Sequence, residues 1–238
     1  FNIHIYRSRK HLQKDEKEMK RLTAIAEEAN EIKSRFLANM SYNIRIPLNN
    51  VVGFSQLITD DTGLSEEEKR EYSGIIQNNA AELIQLVNNV LDLSRLEANM
   101  MKFQLQDCNV QEWCSELACL IQMRSEGSIH LELEADAGDA TIHTDINRFT
   151  QMVSNMLLYP IECKKRRDVK MKLAYNTEAQ NISCQIANSP LADPTFSSQK
   201  QFILQKTCHL FFEHFNGTFR IEEPNERGSV IYFTYPTK

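Results

Sequence analysis

The chain has 238 residues, and its 27 Lys and Arg against 32 Asp and Glu give a formal net charge of −5, which argues against a chain-wide basic surface for nucleic acid. Hydrophobic residues make up 42% and charged residues 25%, the composition of a globular protein rather than a disordered or fibrous one. Only 7 residues are glycine and no two lie close together, so the sequence contains no P-loop, Rossmann fingerprint or kinase-type glycine loop.

The N-terminal residues change from apolar and aromatic to basic (FNIHIYRSRK), which is typical of a chain that has just left a membrane on its cytoplasmic side. An arbitrary start of the sequence explains the same residues equally well. No stretch approaches the roughly 18 apolar residues of a membrane-spanning helix. Because the first residue is Phe1 rather than Met, we expect the natural chain to be longer.

Residues 10–58 are predicted to form one long helix. Its charged first part carries apolar or small residues at 3-4-3 spacing, which indicates a short coiled coil. Its second part continues an apolar face, and Pro47 inside this part is expected to bend the helix. The 3-4-3 positions are Met19, Leu22, Ala26 and Ala29, and the later face is Met40, Ile44, Leu48 and Val51.

A second helix is predicted from the capping box Ser65–Glu68 to about Asn99, after a break at Gly63. Its apolar stripe repeats at 3-4-3 spacing. Two long helices joined by a short loop form an antiparallel hairpin, and two helices alone cannot cover both stripes. A homodimeric four-helix bundle is therefore expected. The stripe consists of Leu83, Leu86, Val90 and Leu93, with Ile76 one heptad earlier.

After residue 105 helical and alternating patterns mix, which predicts an α/β layered domain of about 130 residues. The predicted helices are 111–124, 144–159 and 202–215. The predicted strands are 129–135, 169–176, 182–187, 219–223 and 230–235, the last two forming a closing hairpin.

The 6 cysteines show no C-x-x-C spacing, which favours reduced thiols over a disulfide scaffold. Cys208, His209 and His214 could in principle bind zinc. Their spacing fits no common zinc pattern, and we interpret them as ordinary helix residues. We predict no metal site.

Four segments carry a resemblance to sensor histidine kinases. Residues 33–58 (KSRFLANMSYNIRIPLNNVVGFSQLI) resemble that family's phosphoacceptor segment, and residues 90–98 (VLDLSRLEA) resemble the second helix of its dimerisation domain. Residues 145–163 are similar to its N box, and NGTFRIEEPNERGSVIYFTYP is similar to the end of its ATP-binding domain. The resemblance implies an α+β chain, in which the dimeric hairpin is followed by an α/β sandwich of the GHKL (Bergerat) type. The expected domains are 1–38 (juxtamembrane, coiled-coil signalling helix), 39–104 (dimerisation and degenerate phosphoacceptor hairpin) and 105–238 (degenerate ATP-binding domain).

The phosphoacceptor segment departs from the family at three positions. Tyr42 stands where the family has its acceptor His. A protonated phenol is a poor nucleophile without a positioned base. The acidic residue that follows the acceptor is Asn43, whose amide cannot act as a base. Ile46 stands where the family has the Thr or Asn that positions water for phosphatase activity. The Ile46 side chain has no hydrogen-bonding group. The helical pattern places Tyr42 away from the apolar face, where an acceptor would be exposed.

The nucleotide site departs in the same way. The first Asn of the N box is present as Asn155. The Asn that binds Mg²⁺ in the family is replaced by Tyr159, which is followed by Pro160. The basic residue that contacts phosphate in the family is replaced by Glu162. The first glycine box aligns with residues 188–192, where Asn188 takes the position of its Asp and Pro190 that of its first glycine. The second glycine box aligns with Lys200, Phe202 and Leu204, so the glycines of both boxes are absent. About ten residues separate the two boxes, so the family's nucleotide lid is nearly deleted.

These departures predict a histidine kinase-like signalling protein without autokinase activity, acting as a dimeric interaction module. ATP and Mg²⁺, which the family uses, are expected to be lost as ligands. The expected partners are a second copy or an active histidine kinase, and a receiver domain of a response regulator, but no nucleic acid. The expected location is the cytoplasmic portion of an inner-membrane sensor. The alternative is a functional kinase with an atypical active site. The emptied nucleotide cavity either collapses into core or keeps an exposed apolar patch for a partner protein.

Overall fold

The computed structural model describes residues 2–60, 63–159, 166–193, 199–225 and 228–238. The chain divides into two compact units, Phe1–Ile84 and Gln85–Lys238. Helix α1 (Asn2–Asp60) and the first part of helix α2 (Glu66–Glu97) form the first unit. The long first helix that the sequence predicts is confirmed, and it begins earlier than expected, at Asn2.

The two helices of the first unit form an antiparallel hairpin. Asn50 Nδ2 on α1 donates to Asn79 Oδ1 on α2 at 3.0 Å, and the rings of Phe54 and Tyr72 lie 5.3 Å apart. The α1 residues of these pairs increase in number as the α2 residues decrease, as antiparallel packing requires. The hairpin that the sequence predicts is therefore confirmed.

The capping box at the start of α2 forms as predicted. The Ser65 backbone N–H donates to Glu68 Oε2 at 2.8 Å, and the Glu68 backbone N–H donates to the Ser65 hydroxyl at 3.2 Å. These bonds with the backbone N–H and the hydroxyl of Ser65 lower the pKa of Glu68. They satisfy donors that a helix otherwise leaves open at its N-terminus.

The helix faces differ from the predicted pattern in part. The α2 stripe is confirmed, since Leu86 and Leu93 are buried. A second α2 stripe, which the sequence analysis missed, is exposed. On α1, Met40 is buried but Leu48 is 46% exposed. Met19 and Leu22 are exposed, and the side chains of Ala26 and Ala29 lie outside the described residues. The second stripe is Ile84, Val87 and Leu91.

The second unit contains an α/β sandwich built on a five-stranded sheet of order β2-β4-β5-β7-β6. Strands β2 and β4 are parallel, and the other pairs are antiparallel. A small antiparallel sheet joins β1 to β3. The strands are β1 (Gln106–Asn109), β2 (Ile129–Asp136), β3 (Thr141–Thr144), β4 (Arg167–Asn176), β5 (Asn181–Ala187), β6 (Thr218–Asn225) and β7 (Gly228–Pro236); the helices are α3 (Val110–Ser125), α4 (Ile146–Leu158) and α5 (Gln199–His214).

Alternation along the strands gives the sheet one apolar face, and the helices cover that face. In β4 the side chains of Val169, Met171 and Leu173 are buried, while those between them are exposed. Phe149 of α4 lies at the centre of the core, with its ring 4.7 Å from that of Trp113 and 5.0 Å from that of Tyr235. The Trp113 indole N–H donates to Thr150 Oγ1 at 2.8 Å, so this buried donor is satisfied. The fold class that the sequence predicts, a helical hairpin followed by an α/β sandwich, is confirmed.

Candidate functional site

The predicted phosphoacceptor position lies on an exposed face of α1. Tyr42 is 62% exposed and Ile46 is 46% exposed, and Asn43 is half-buried. Because residues four apart share a helix face, the phenol and the aliphatic side chain form one apolar surface. The predicted exposure of Tyr42 is confirmed.

In the segment that the sequence aligns with the N box, Asn155 lies in α4 and Tyr159 directly follows the helix, and both are half-buried. Tyr159 caps the helix, and its backbone N–H donates to the Asn155 carbonyl at 3.3 Å. Its side chain packs against the core of the sandwich. Pro160 and Glu162 lie outside the described residues.

The segment that the sequence aligns with the first glycine box follows β5 and is held by side-chain hydrogen bonds. Asn188 adopts a positive φ of 58°, a conformation that Asn tolerates better than most residues. Its Nδ2 donates to the Asp168 carbonyl at 2.7 Å. The buried Ser189 hydroxyl donates to the Met156 carbonyl at 2.6 Å, which ties this segment to α4. A 3₁₀ turn of three buried residues follows, Pro190–Ala192.

Two glutamines of α5 bind that turn directly. The Gln201 amide nitrogen donates to the Leu191 carbonyl at 2.7 Å and to the Asp193 carbonyl at 3.0 Å. The Gln205 amide nitrogen donates to the same Leu191 carbonyl at 2.7 Å. We call these three hydrogen bonds the amide latch. An ion pair between Arg167 and Asp193 holds the end of the same segment to β4. Neither glutamine was predicted, and their only signal in the sequence is a spacing of four residues, which places both on one face of α5.

The apolar side chains at the positions that the sequence aligns with the glycine boxes divide into two groups. Leu191 and Leu204 belong to the core of the sandwich, with 0% and 3% exposure. Phe202 is 46% exposed. Lys200 is half-buried, and burial lowers the pKa of its ammonium group. Residues 194–198, where the sequence predicts a shortened lid, lie outside the described residues.

No group of three metal-binding side chains is close enough to hold an ion within the part of the chain that the structure describes. Cys208 is buried, with its Sγ 3.8 Å from Met152 Sδ, and burial raises the pKa of its thiol. His209 and His214 are exposed, so these three residues do not converge on one point. The helices described here include none that is both long and apolar enough to cross a membrane.

Comparison with known proteins identifies related chains. Residues 32–99 match the family model of the His Kinase A (phospho-acceptor) domain. Hybrid signal transduction histidine kinase A of Dictyostelium discoideum is 32% identical over 157 residues, which are 64% of this chain. The chain spans only 7% of that relative's length.

Two solved structures share the fold. The histidine kinase AdeS of Acinetobacter baumannii has a TM-score of 0.64 at 15% identity, with 82% of this chain and 96% of that chain covered. The histidine kinase ThkA, solved in complex with the response regulator protein TrrA, has a TM-score of 0.60 at 17% identity, with 89% of this chain and 64% of that chain covered.

Proposed function

We propose that this sensor histidine kinase-like two-component signalling protein acts as a dimeric signalling and interaction module. In this proposal the chain does not transfer phosphate. In the family, an imidazole nitrogen of the acceptor His attacks the γ-phosphate of ATP. That step needs a nucleophile, a base beside it and a bound nucleotide, and each of the three is altered in this chain.

The acceptor position supports the proposal on chemical grounds. The Tyr42 hydroxyl would have to lose its proton to attack phosphorus, and the neighbouring Asn43 amide cannot accept that proton. Ile46, one helical turn further on, cannot orient a water molecule for the reverse, phosphatase reaction. The exposure of Tyr42 and Ile46 leaves this surface available for contacts with another protein.

The amide latch is the observation that carries the proposal. In the family, glycines let the backbone approach the nucleotide at the two boxes. Here Gln201 and Gln205 bring α5 directly onto the Leu191 carbonyl, and the Leu191 side chain is fully buried. A nucleotide that entered between these segments would have to break the hydrogen bonds of the latch, which are buried or partly buried and each contribute about 0.5–1.5 kcal/mol. Pro190, without a backbone N–H, offers no donor to a phosphate.

The proposed assembly is a dimer through the hairpin, formed with a second copy or with an active histidine kinase. The exposed α2 stripe of Ile84, Val87 and Leu91 supports it, because apolar side chains at this spacing form a continuous surface that association would bury. The complex of ThkA with TrrA gives a receiver domain as the second proposed partner. The proposed domains remain 1–38, 39–104 and 105–238. The proposed location is the cytoplasmic portion of an inner-membrane sensor.

Isothermal titration of the full chain with Mg-ATP tests the proposal. We expect no binding heat, and a thermal shift near zero because stabilisation scales with RT ln(1 + [L]/Kd). An active histidine kinase titrated in parallel shows that the nucleotide is competent. The Tyr42→Phe variant, which changes only the acceptor hydroxyl, should give the same trace as the natural sequence. A micromolar dissociation constant would contradict the proposal and favour an atypical kinase.

A further inference from the structure

Strand β2 forms one edge of the five-stranded sheet. Within the ranges that the structure describes, β4 is the only strand that pairs with β2. Because the backbone groups of a strand point alternately to its two sides, about half of the N–H and C=O groups of β2 point away from β4. The Ser125 hydroxyl donates to the Ile129 carbonyl at 3.5 Å, so the open part of the strand runs from His130 to Asp136. We call this side of the strand the β2 edge.

The apolar face of β2 is covered less completely than that of the neighbouring strand. The four inward side chains of β2 pack against the core of the sandwich but are only half-buried, whereas the central inward side chains of β4 are fully buried. Apolar surface therefore remains in contact with water beside the β2 edge, and an added strand would bury it. The four side chains are Ile129, Leu131, Leu133 and Ala135.

A cleft of about 330 Å³ opens between β2 and α3. Ala118 and Ile121 of α3 and Leu131 of β2 give it apolar walls, and Ile121 is fully buried. Arg166, which precedes β4, also lines the cleft. Every second side chain of an added strand points toward the helices, and one of them would enter this cleft. The cleft therefore favours an apolar side chain at that position.

The exposed side chains of β2 include an acidic row, which consists of Glu132, Glu134 and Asp136. Glu132 and Glu134 form ion pairs of 2.5 and 2.6 Å with Lys170 and Lys172, which lie on β4 and therefore on the side away from the edge. Both carboxylates remain about half-exposed, and Asp136 has no ion pair among the described residues. The outward side chains of an added strand would lie beside this row, where opposite charge is favourable. The acidic row therefore favours Lys or Arg at those positions.

The acidic row disfavours pairing between two copies of β2. Residues that face each other in an antiparallel ladder lie on the same face of the sheet. The two registers that pair most of the strand therefore place Glu132 opposite itself or opposite Glu134. Like charges directly opposite each other are destabilising. The charge pattern thus favours a segment of different, basic sequence over a second copy.

We propose that the β2 edge is a docking site for an extended basic and apolar segment of a partner protein, which adds to the sheet as a further strand. Its apolar side chains cover the half-buried face of β2, and one of them fills the cleft. Its Lys or Arg side chains lie beside the acidic row. The basic pattern ends at the cleft, because Arg166 lines it. The site lies within the sandwich and involves neither the acceptor segment nor the nucleotide positions.

A synthetic peptide of sequence Lys-Val-Lys-Val-Lys-Leu-Ser tests the site. In an antiparallel ladder, the more stable arrangement, its Lys residues lie opposite Asp136, Glu134 and Glu132, and its Leu lies opposite Leu131 at the cleft. We expect saturable binding of the peptide, labelled at its N-terminus, to the full chain in fluorescence anisotropy. The same peptide with Glu in place of every Lys should bind at least about tenfold more weakly.

Methylation of the peptide's backbone nitrogens separates strand pairing from charge attraction. Only alternate N–H groups of an added strand point toward β2. One peptide therefore carries methyl groups on the nitrogens of its Lys residues, and another on those of Val and Leu. One of the two should bind about tenfold more weakly than the unmethylated peptide, and the other should lose less than about twofold. Equal effects would overturn strand addition, because charge attraction alone does not distinguish the two sets.

Two variants of the chain locate the site. Asp136→Lys reverses a charge of the acidic row without breaking an ion pair, and it should weaken peptide binding about fivefold. Ala118→Phe fills the cleft from α3 and should weaken binding about tenfold. Glu222→Lys makes a comparable change of charge on β6, at the opposite edge of the sheet, and is the matched control with unchanged affinity. Urea unfolding followed by Trp113 fluorescence shows that each variant is folded.

Two results would overturn the docking site. One is the absence of saturable binding by the unmethylated peptide, which would leave the acidic row as protection of an edge strand against unwanted pairing. The other is unchanged affinity in Asp136→Lys or in Ala118→Phe. None of these measurements involves ATP or the acceptor segment, so failure here is distinguishable from failure of the proposed function.

Discussion

The Gln201→Ala substitution should destabilise the sandwich in an amount set by the amide latch. Gln201 is 6% exposed, and its amide makes two of the three latch bonds, to the carbonyls of Leu191 and Asp193. At about 1 kcal/mol per hydrogen bond, with the packing of a buried side chain added, the expected loss is about 2–3 kcal/mol. Gln205→Ala removes one bond from a carbonyl that keeps Gln201, and its expected cost is about 1 kcal/mol.

Urea unfolding followed by Trp113 fluorescence measures these losses. Trp113 is the only tryptophan and is 2% exposed in the core of the second unit, so its emission reports on the sandwich. With a urea dependence of about 2 kcal/mol per M, Gln201→Ala should lower the midpoint by about 1–1.5 M. Gln205→Ala should lower it by about 0.5 M.

The double variant tests whether the two glutamines act together. When both are replaced, the Leu191 carbonyl loses both amide donors inside a buried turn, and an additional cost of about 1–3 kcal/mol is expected beyond the sum of the single losses. Two results would refute the proposed role of the amide latch. One is a urea midpoint of Gln201→Ala within about 0.2 M of that of the natural sequence. The other is a double-variant loss of unfolding free energy equal to the sum of the two single losses.

Two further results are expected. In light scattering the chain should be a dimer at micromolar concentration, and the double variant Val87→Asp/Leu91→Asp should be a monomer, since each apolar side chain that is buried contributes about 1.5–3 kcal/mol. Gln85→Asp, at an exposed position outside the stripe, is the control and should remain a dimer. A monomeric natural chain would contradict the dimer. Ser65→Ala should lower the thermal stability of α2 at pH 7, because it removes the hydroxyl that donates to the Glu68 carboxylate and leaves the backbone N–H bond in place. The difference should shrink as the pH falls below about 4.5 through the lowered pKa of Glu68, because protonation removes the charge that the hydroxyl binds. An unchanged difference between pH 7 and pH 2 would exclude this carboxylate as the cause.

The sequence predicted the elements that have a strong period. The long helices, the alternating strands β2, β4, β5 and β7 and the capping box at Ser65 were all confirmed, because burial of one face leaves a pattern in the sequence. Strands β1 (QDCN) and β3 (TIHT) were missed. They are four residues long, mostly polar, and pair across more than thirty residues of chain, so neither has a period of its own.

The hydrogen bonds between α5 and the turn at Pro190–Ala192 could not be predicted for a related reason. Gln201 and Gln205 bind backbone carbonyls of a turn, and a backbone acceptor leaves no mark in the sequence. The pairing of Asp92 with Arg148 depends on the path of the chain between them. The sequence does not separate the exposed stripe of Ile84, Val87 and Leu91 from the neighbouring stripe of Leu86 and Leu93, because one amphipathic helix with a wide apolar face gives the same pattern.

Phosphate transfer from γ-labelled ATP tests the central claim most directly. The variant Tyr42→His/Asn43→Glu/Ile46→Thr restores the family's residue types at the acceptor segment and leaves the nucleotide positions and the amide latch unchanged. A separate active histidine kinase supplied with ATP serves as the control for acceptor competence, because it can phosphorylate the restored His in trans. The account predicts label on the variant in that mixture and none when the variant is incubated with ATP alone. Label incorporated by the variant alone would show that its own sandwich delivers the γ-phosphate, and would contradict a signalling module without kinase chemistry.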